Sequence, residues 1–398
     1  MKVVYCKLKD CCLKIGSGAT PKGGKSVYTD NGVSLIRSQN VYNLNFAYKG
    51  LAHINDDAAE KLRGVTVKEK DVLLNITGDS VARTCVVPND VLPARVNQHV
   101  AIIRPKQSLN SLYLNYYLAS PAMQGYLLNI ASTGASRNAI TKATIEKLVV
   151  PVPEIGCQQQ IANVLSAYDN LIENNNKRIK ILEQMAENLY KEWFVRFRFP
   201  GHETTPLENG IPKGWELRPL FDVASVTYGF PFKSELFNND ESLNAVVRIR
   251  DILDNKTDTY TSESCDNRYL IKENAILIGM DGLFHMCLWN GSRAFLNQRV
   301  VMLNSKDDNI CNYLLYLSVK PQIKFWEQTI SGTTVAHLGD KHLKKVTVLV
   351  PTQFILKKAN ERLQAYMEQK RSLFIMNQNL IKQRDLLLPR LMSGKLVV

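Results

Sequence analysis

The second half of the chain restates the first at a nearly constant offset, and this internal repeat constrains the fold more than any other feature. From Gly134 onward the offset is 198 residues and holds without a gap: Gly134 on Gly332, Ile145 on Leu343, Lys147 on Lys345, Pro153 on Pro351, Leu165 on Leu363, Ala167-Tyr168 on Ala365-Tyr366, and Leu182 on Leu380. Upstream the offset is slightly larger. Val96-Asn97-Gln98-His99-Val100 returns as Leu296-Asn297-Gln298-Arg299-Val300, residues 36–41 return as 247–252, and residues 71–74 as 274–277. A chain of 398 residues built this way is two copies of one design, each large enough for its own core.

Each copy has two parts. The first mixes short apolar runs (72–76, 100–103, 148–152) with segments rich in Gly, Pro and Asn, which predicts an irregular α+β domain. The second predicts a long helix that begins just after Pro151 and Pro153, or Pro351, where those prolines stop the preceding strand. In the first copy Ile161, Leu165, Tyr168, Ile172, Asn175, Ile179, Leu182, Ala186, Leu189 and Trp193 alternate at spacings of four and three, a heptad seam. The matching positions are Ala359, Leu363, Tyr366, Lys370, Leu373, Asn377, Leu380, Arg384, Leu387 and Leu391. Such a stripe fits a bundle core or a homodimer zipper, but two matching helices in one chain can also pair with each other. Isolated polar seam positions, Asn175 and Asn377, would fix register. An antiparallel pair of helices of about 35 residues would span roughly 50 Å and hold the two globular parts one to two DNA turns apart. The expected division is residues 1–153, a first globular domain; 154–199, a helix; 200–214, a linker; 215–352, a second domain; and 353–398, a second helix.

The net charge of +13 points toward a polyanion, of which nucleic acid is the usual one. The excess is uneven: residues 1–150 carry 19 Lys and Arg against 10 Asp and Glu, whereas residues 215–352 carry 15 against 16. No apolar run approaches the length of a membrane span, and the N-terminal residues lack the pattern of a secretory signal, so a cytoplasmic location is expected. The eight cysteines form no C-x-x-C pair and have no histidines at zinc spacing beside them, which argues for reduced thiols and against a metal site. Gly23-Gly24-Lys25-Ser26 resembles the end of a phosphate-binding loop, but Ala19 stands where that motif needs glycine. Glu368-Gln369-Lys370 has nuclease-like spacing but lies inside the heptad helix.

At this point the chain resembles the specificity subunits of type I restriction–modification systems. The resemblance rests on Gly16-Ser17-Gly18-Ala19-Thr20-Pro21-Lys22 followed by Val33-Ser34-Leu35-Ile36-Arg37-Ser38-Gln39-Asn40-Val41, and on Val150-Pro151-Val152-Pro153-Glu154 with Gln158-Gln159-Gln160-Ile161. It rests also on Ile211-Pro212-Lys213-Gly214-Trp215-Glu216 and on the closing run from Arg384 to Leu396. It implies an α+β architecture of two target recognition domains separated by two long helices in an antiparallel coiled coil. Each domain would read one half of a bipartite double-stranded DNA sequence. The chain itself would be non-catalytic and hold no cofactor. Two methyltransferase subunits using S-adenosylmethionine would dock on it, and in many systems restriction subunits using ATP and Mg as well, in a prokaryotic cytoplasm. The second domain departs from the family, with Tyr228-Gly229-Phe230-Pro231-Phe232 where the Thr-Pro motif is expected.

Base edges are read by side chains that offer donors and acceptors, and phosphates mostly by Lys and Arg. The candidates in the first domain are Thr20, Lys22, Lys25, Arg37, Gln39, Asn40, Arg83, Gln98, Arg137 and Asn138. In the second they are Lys233, Arg248, Arg250, His285, Arg293, Gln298, Arg299, Thr333, Thr334 and His337. The retained Asn97-Gln98 and Asn297-Gln298 pairs equally suit a structural role, and positions that differ between the copies, such as Gln39 against Arg250, suit base reading better. The rival expectation is a coiled-coil scaffold whose repeated domains bind proteins, which the neutral second domain favours.

Overall fold

A computed structural model describes residues 3–132, 139–330 and 336–396. The chain divides into two compact units: residues 1–174 with 376–398, and residues 175–375. Each unit contains one globular repeat and a part of both long helices, Ile155–Tyr190 and Gln353–Met392.

The globular part of the first unit is built on an antiparallel sheet in the order Thr84–Val86, Val72–Asn75, Val100–Pro105, Cys12–Ser17. In the second unit the order is Met286–Leu288, Ile276–Gly279, Val300–Ser305, Ala224–Tyr228, which is the same sheet. The apolar runs make these strands because both faces are covered and side chains alternate between them. Val72 and Leu74 enter a core with the helices, whereas Leu73 enters another with Val96 and Val100. Ile276 and Ile278 likewise face the helical core while Leu277 faces Trp289 and Leu296. A second sheet in each unit contains one parallel pair: Val33–Ile36 beside Ala94–Val96 inside a five-stranded sheet, and Asn244–Val247 beside Phe295–Leu296 at the edge of a four-stranded one.

The copies exchange side-chain volume where they diverge. Asn75 donates to the Ser38 carbonyl at 2.9 Å. Strand pairing shifts the match here by one residue from the expected 71–74 on 274–277, so that Asn75 and Gly279 face Val100 and Val300, and Gly279 leaves room for Ile249, whose Cγ2 would lie 3.0 Å from any added Cβ.

All the seam positions of both helices are buried or half-buried, including Ile161, Leu165, Tyr168, Ile172, Ile179, Leu182 and Leu189 on the first and Leu363, Tyr366, Leu373, Leu380 and Leu387 on the second. In the first unit Ile161 and Leu165 share a core with Leu388, Leu391 and Met392, Asp169 pairs with Arg384 at 2.6 Å, and the Ile172 carbonyl accepts from Asn377 Nδ2 at 3.4 Å. Numbers rise on one helix as they fall on the other, so the pairing is antiparallel. The second unit independently shows the same sense, with Glu183 on Lys370 at 2.5 Å and the Arg362 guanidinium 5.1 Å from the Trp193 ring centre. The chain's own second helix therefore fills the seam that a homodimer zipper would have used. Lys370, the seam position that matches Ile172, is half-buried in that ion pair.

Two local expectations are corrected. Pro151 does not end the first-copy strand: Val149–Pro153 runs through it and stops at Pro153, pairing Pro151 with Tyr5 and Pro153 with Val3. A two-stranded ribbon has a free edge on each strand, where a missing N–H costs nothing. The linker is not only a helix breaker, since Leu207–Glu208 and Ile211–Pro212 form a hairpin around Asn209-Gly210, both at positive φ. Gly23-Gly24-Lys25-Ser26 forms a single 3-10 turn, Gly24–Val27, with Ser26 Oγ on the Gly23 carbonyl, and no helix follows to make an anion site. No helix among the described residues is long and apolar enough to cross a membrane.

The Asp169–Arg384 pair also receives the Tyr116 hydroxyl, from helix Ser111–Ala119. With side-chain exposures of 22% and 16%, removing the carboxylate leaves the phenol without its acceptor and the guanidinium with Asp385 as its remaining partner, both in partial burial. Asp169→Ala is expected to cost roughly 2 kcal/mol, read as a lower urea midpoint of the first unit. Asp169→Ala with Arg384→Met should recover part of it, and an additive loss in the double variant would refute the pairing argument.

Candidate nucleic-acid interface

In each unit a glycine crosses the strand end that carries the Asn-Gln pair. Gly18 N–H donates to Val100 O at 2.9 Å and Ala19 N–H to Val96 O at 3.0 Å; Gly229 N–H donates to Val300 O at 3.1 Å and Phe230 N–H to Leu296 O at 2.8 Å. A Cβ on Gly18 would lie 2.1 Å from Val96 O, and one on Gly229 2.0 Å from Asn297 O. Glycine is the residue that permits such an approach. This crossing sets the register that the sequence left open: Thr20-Pro21-Lys22 matches Pro231-Phe232-Lys233, with Pro21 and Phe232 both buried and Lys22 and Lys233 both exposed.

Asn97 and Asn297 are structural. Their N–H groups donate to Ile36 O at 3.0 Å and Val247 O at 3.2 Å. Their side-chain oxygens accept from the His99 N–H at 3.2 Å and the Gln298 N–H at 2.7 Å. Gln98 and Gln298, by contrast, are exposed.

Around the crossing the copies differ in chemistry. In the first, Thr20 Oγ1 donates to Gln98 Oε1, Gln98 Nε2 lies 3.0 Å from His99 Nε2, and His99 Nδ1 lies 2.6 Å from Thr77 Oγ1. An amide nitrogen can only donate, so the neutral His99 ring accepts at Nε2 and donates from Nδ1 to Thr77. In the second, Asp281 occupies the place of Thr77 and joins Arg299 Nε at 3.4 Å to His337 Nδ1 at 2.7 Å. Thr77, His99 and Asp281 were not among the expected residues. The one available signal was His99 against Arg299 inside the aligned pentapeptides.

A second group holds the loop between residues 37 and 50. Arg37 Nη2 and Gln39 Nε2 both donate to Gly50 O, at 2.7 and 3.0 Å, and the buried Arg37 Nε has no hydrogen-bond partner among the described residues. Arg83 lies 4.7 Å over the ring of Tyr42, beside a surface pocket lined by Gln39, Asn45 and Lys49. Asn40 corrects the expectation that it reads bases. It is fully buried, accepting from Arg37 N–H at 3.0 Å and donating to Ala47 O at 2.8 Å. Asp251 does the same work in the second copy, accepting from Arg248 N–H at 2.8 Å, and burial raises its carboxyl above the usual range.

The remaining candidates are scattered around these groups. Lys25 is exposed on the 3-10 turn. The Arg248 guanidinium lies 5.6 Å from the Phe237 ring centre, Arg250 is tied to Asp258 at 2.8 Å and Thr259 at 3.1 Å, and Arg293 is exposed beside Asn244 and Tyr260. His285 is half-buried, and His337 is exposed next to the short helix Asp340–Leu343. There Tyr228 donates to Asp340 at 2.9 Å, and burial with that carboxylate pushes the phenol up. Burial, followed by the charges of Lys341 and Lys345, lowers the His342 imidazole. Arg137, Asn138, Thr333 and Thr334 lie outside the described residues.

A family profile described as the type I restriction modification DNA specificity domain matches residues 2–184 and again residues 212–373. The chain is 28% identical to the type I restriction enzyme MjaIX specificity subunit of Methanocaldococcus jannaschii, covering 98% of this chain and 93% of that one. It is 22% identical to the HindI specificity subunit of Haemophilus influenzae, covering 92% and 94%. Its fold is similar to the crystal structure of a type I restriction–modification S subunit from M. genitalium, with a TM-score of 0.59 at 13% identity over 98% of this chain and 96% of that one. With both copies of the repeat matched by one profile, the chain belongs to the family of type I restriction–modification DNA specificity subunits.

Proposed function

We propose that the two repeats read the two halves of a bipartite duplex, and that methyltransferase subunits dock on this chain to modify adenines within the site. The chain is the non-catalytic, DNA-specifying member of a type I restriction–modification complex. The observation that supports a split target is one scaffold present twice with different chemistry at the same crossing: Thr20, Gln98 and His99 in one copy, Pro231, Gln298 and Arg299 in the other. A reader of one continuous sequence has no need of two copies of one scaffold that carry different side chains at the same crossing.

Two methyltransferase subunits, one for each strand, would bring S-adenosylmethionine. In a system that also cuts, restriction subunits would bring ATP and Mg. Phosphate contacts from Lys22 and Lys25 would make binding strongly salt-dependent in the first domain. Deleting the gene and sequencing the genome for methylated adenine tests the reading. One bipartite methylated motif should disappear, and persistence of every motif in cells with a working partner methyltransferase would refute it.

A further inference from the structure

The two copies offer solvent two prepared side chains at the same crossing. A glutamine amide has two N–H groups and two acceptor sites on oxygen. In Gln98 one acceptor site is taken by Thr20 and one N–H by His99, so one donor and one acceptor remain on an exposed amide. That is the pattern complementary to N7 and N6 of adenine in the major groove. His99 is itself held by Thr77, so the amide is oriented before DNA arrives and loses less side-chain freedom on binding. Asn40 shows what a structural amide looks like in this fold, buried and bonded at both ends.

In the second copy Pro231 and Arg299 replace the two residues that hold Gln98. Arg299 is instead held through Nε by Asp281, which also accepts from His337, and its side chain stays 57% exposed. Its two Nη groups make no hydrogen bond among the described residues, and such a fork matches O6 and N7 of guanine. Arg37 and Arg250 have Nη groups committed to Gly50 and Asp258.

We propose that Gln98 and Arg299 are the base-reading side chains of their respective domains, Gln98 for an adenine and Arg299 for a guanine, each aimed by the residue at the same strand end, Thr77 or Asp281. The proposal rests on the DNA-specificity reading above and deepens it.

The test uses the chain in its own cells, with the chromosomal copy replaced and the methylated motif read by genome sequencing. Gln98→Ala should relax one A·T position in one half of the motif, and Arg299→Ala one G·C position in the other half, by on the order of 10- to 100-fold in preference. Each should leave the opposite half unchanged. Gain-of-preference variants guard against simple misfolding. Gln98→Glu should turn the A·T position toward C·G, because a carboxylate accepts from cytosine N4, and Arg299→Gln should turn the G·C position toward A·T. An unchanged motif, relaxation in both halves from one variant, or loss of methylation without any shifted preference overturns the proposal. If the unaltered chain supports no bipartite methylated motif, the functional reading itself fails. If it supports one that these four variants leave intact, only the assignment of Gln98 and Arg299 fails.

Discussion

Gly18→Ala is expected to abolish recognition by the first domain, while Gly16→Ala, two residues earlier, leaves it intact. The contrast is one of space. A Cβ on Gly16 meets nothing within 4 Å, whereas on Gly18 it would sit 2.1 Å from Val96 O and 2.3 Å from Asn97 O. Neither oxygen belongs to a flexible side chain, and Val96 O is held where it is by the Ala19 N–H at 3.0 Å. The chain can relieve the clash only by lifting the 18–22 loop, which breaks the bonds from Gly18 to Val100 O and from Ala19 to Val96 O. Two lost hydrogen bonds at about 1 kcal/mol each, added to overpacking of about 1–3 kcal/mol, come to roughly 3–5 kcal/mol. Thr20 would leave Gln98 at the same time. Gly229→Ala should do the same to the second domain, where the carbonyl of Asn297 lies 2.0 Å from the added carbon. Thermal unfolding and the methylated motif together check this: each variant should lower the transition by several degrees and lose one half of the motif. A Gly18→Ala chain with an unshifted transition and an unaltered motif would show that the crossing yields more easily than its geometry allows.

The long helices and the duplicated sheet were legible in the sequence because they depend on periodicity, which survives divergence. Every seam position from Ile161 to Trp193 was readable from its spacing, and the structure supplies the partner within the chain. The apolar run in residues 72–76 marked the strand, but the stop assigned to Pro151 was wrong because sequence does not show which edge of a ribbon is free. The crossing was harder to read. The match of Thr20 with Pro231 keeps the offset of 211 found at Arg37 and Arg248, but no residue of Ala19-Thr20-Pro21 recurs at that offset, so identity does not show it. The contacts that prepare Gln98 and Arg299 join residues far apart in the chain, such as Asp281 and His337, 56 positions apart. No local pattern encodes them. Asn40 carried a usable signal: its counterpart is Asp251, and Asn or Asp three residues after a shared Arg is what a capped turn requires. Fully buried and bonded at both its oxygen and its nitrogen, the Asn40 amide is out of reach of a base.

The aromatic residue that opens the second domain should be the most costly single truncation in its unit. Trp215 is 4% exposed and packs against Phe199 at 4.8 Å, Phe194 at 5.5 Å and Phe197 at 5.9 Å between ring centres. These rings come from different pieces of chain. Phe194 lies in the wide turn Lys191–Val195 that ends the first long helix, and Phe197 and Phe199 lie in the segment leading to the linker hairpin. The same core contains Ile355, Ala359 and Leu363 from the start of the second long helix. Trp215 is thus where helix, linker and globular domain of this unit share one interior. Truncating a buried Trp to Ala costs about 3–5 kcal/mol. The indole nitrogen is buried without a hydrogen-bond partner among the described residues, so this site uses the ring as an apolar body. Trp215→Phe therefore loses volume but no polar contact and should cost about 1 kcal/mol, whereas Trp215→Ala should uncouple the domain from its helices. Urea unfolding followed by circular dichroism distinguishes the two, with methylation of the second half of the motif lost only in the alanine variant. If phenylalanine proved as damaging as alanine, the indole N–H would have to be acting as a donor, and the account of this core as purely apolar packing would fail.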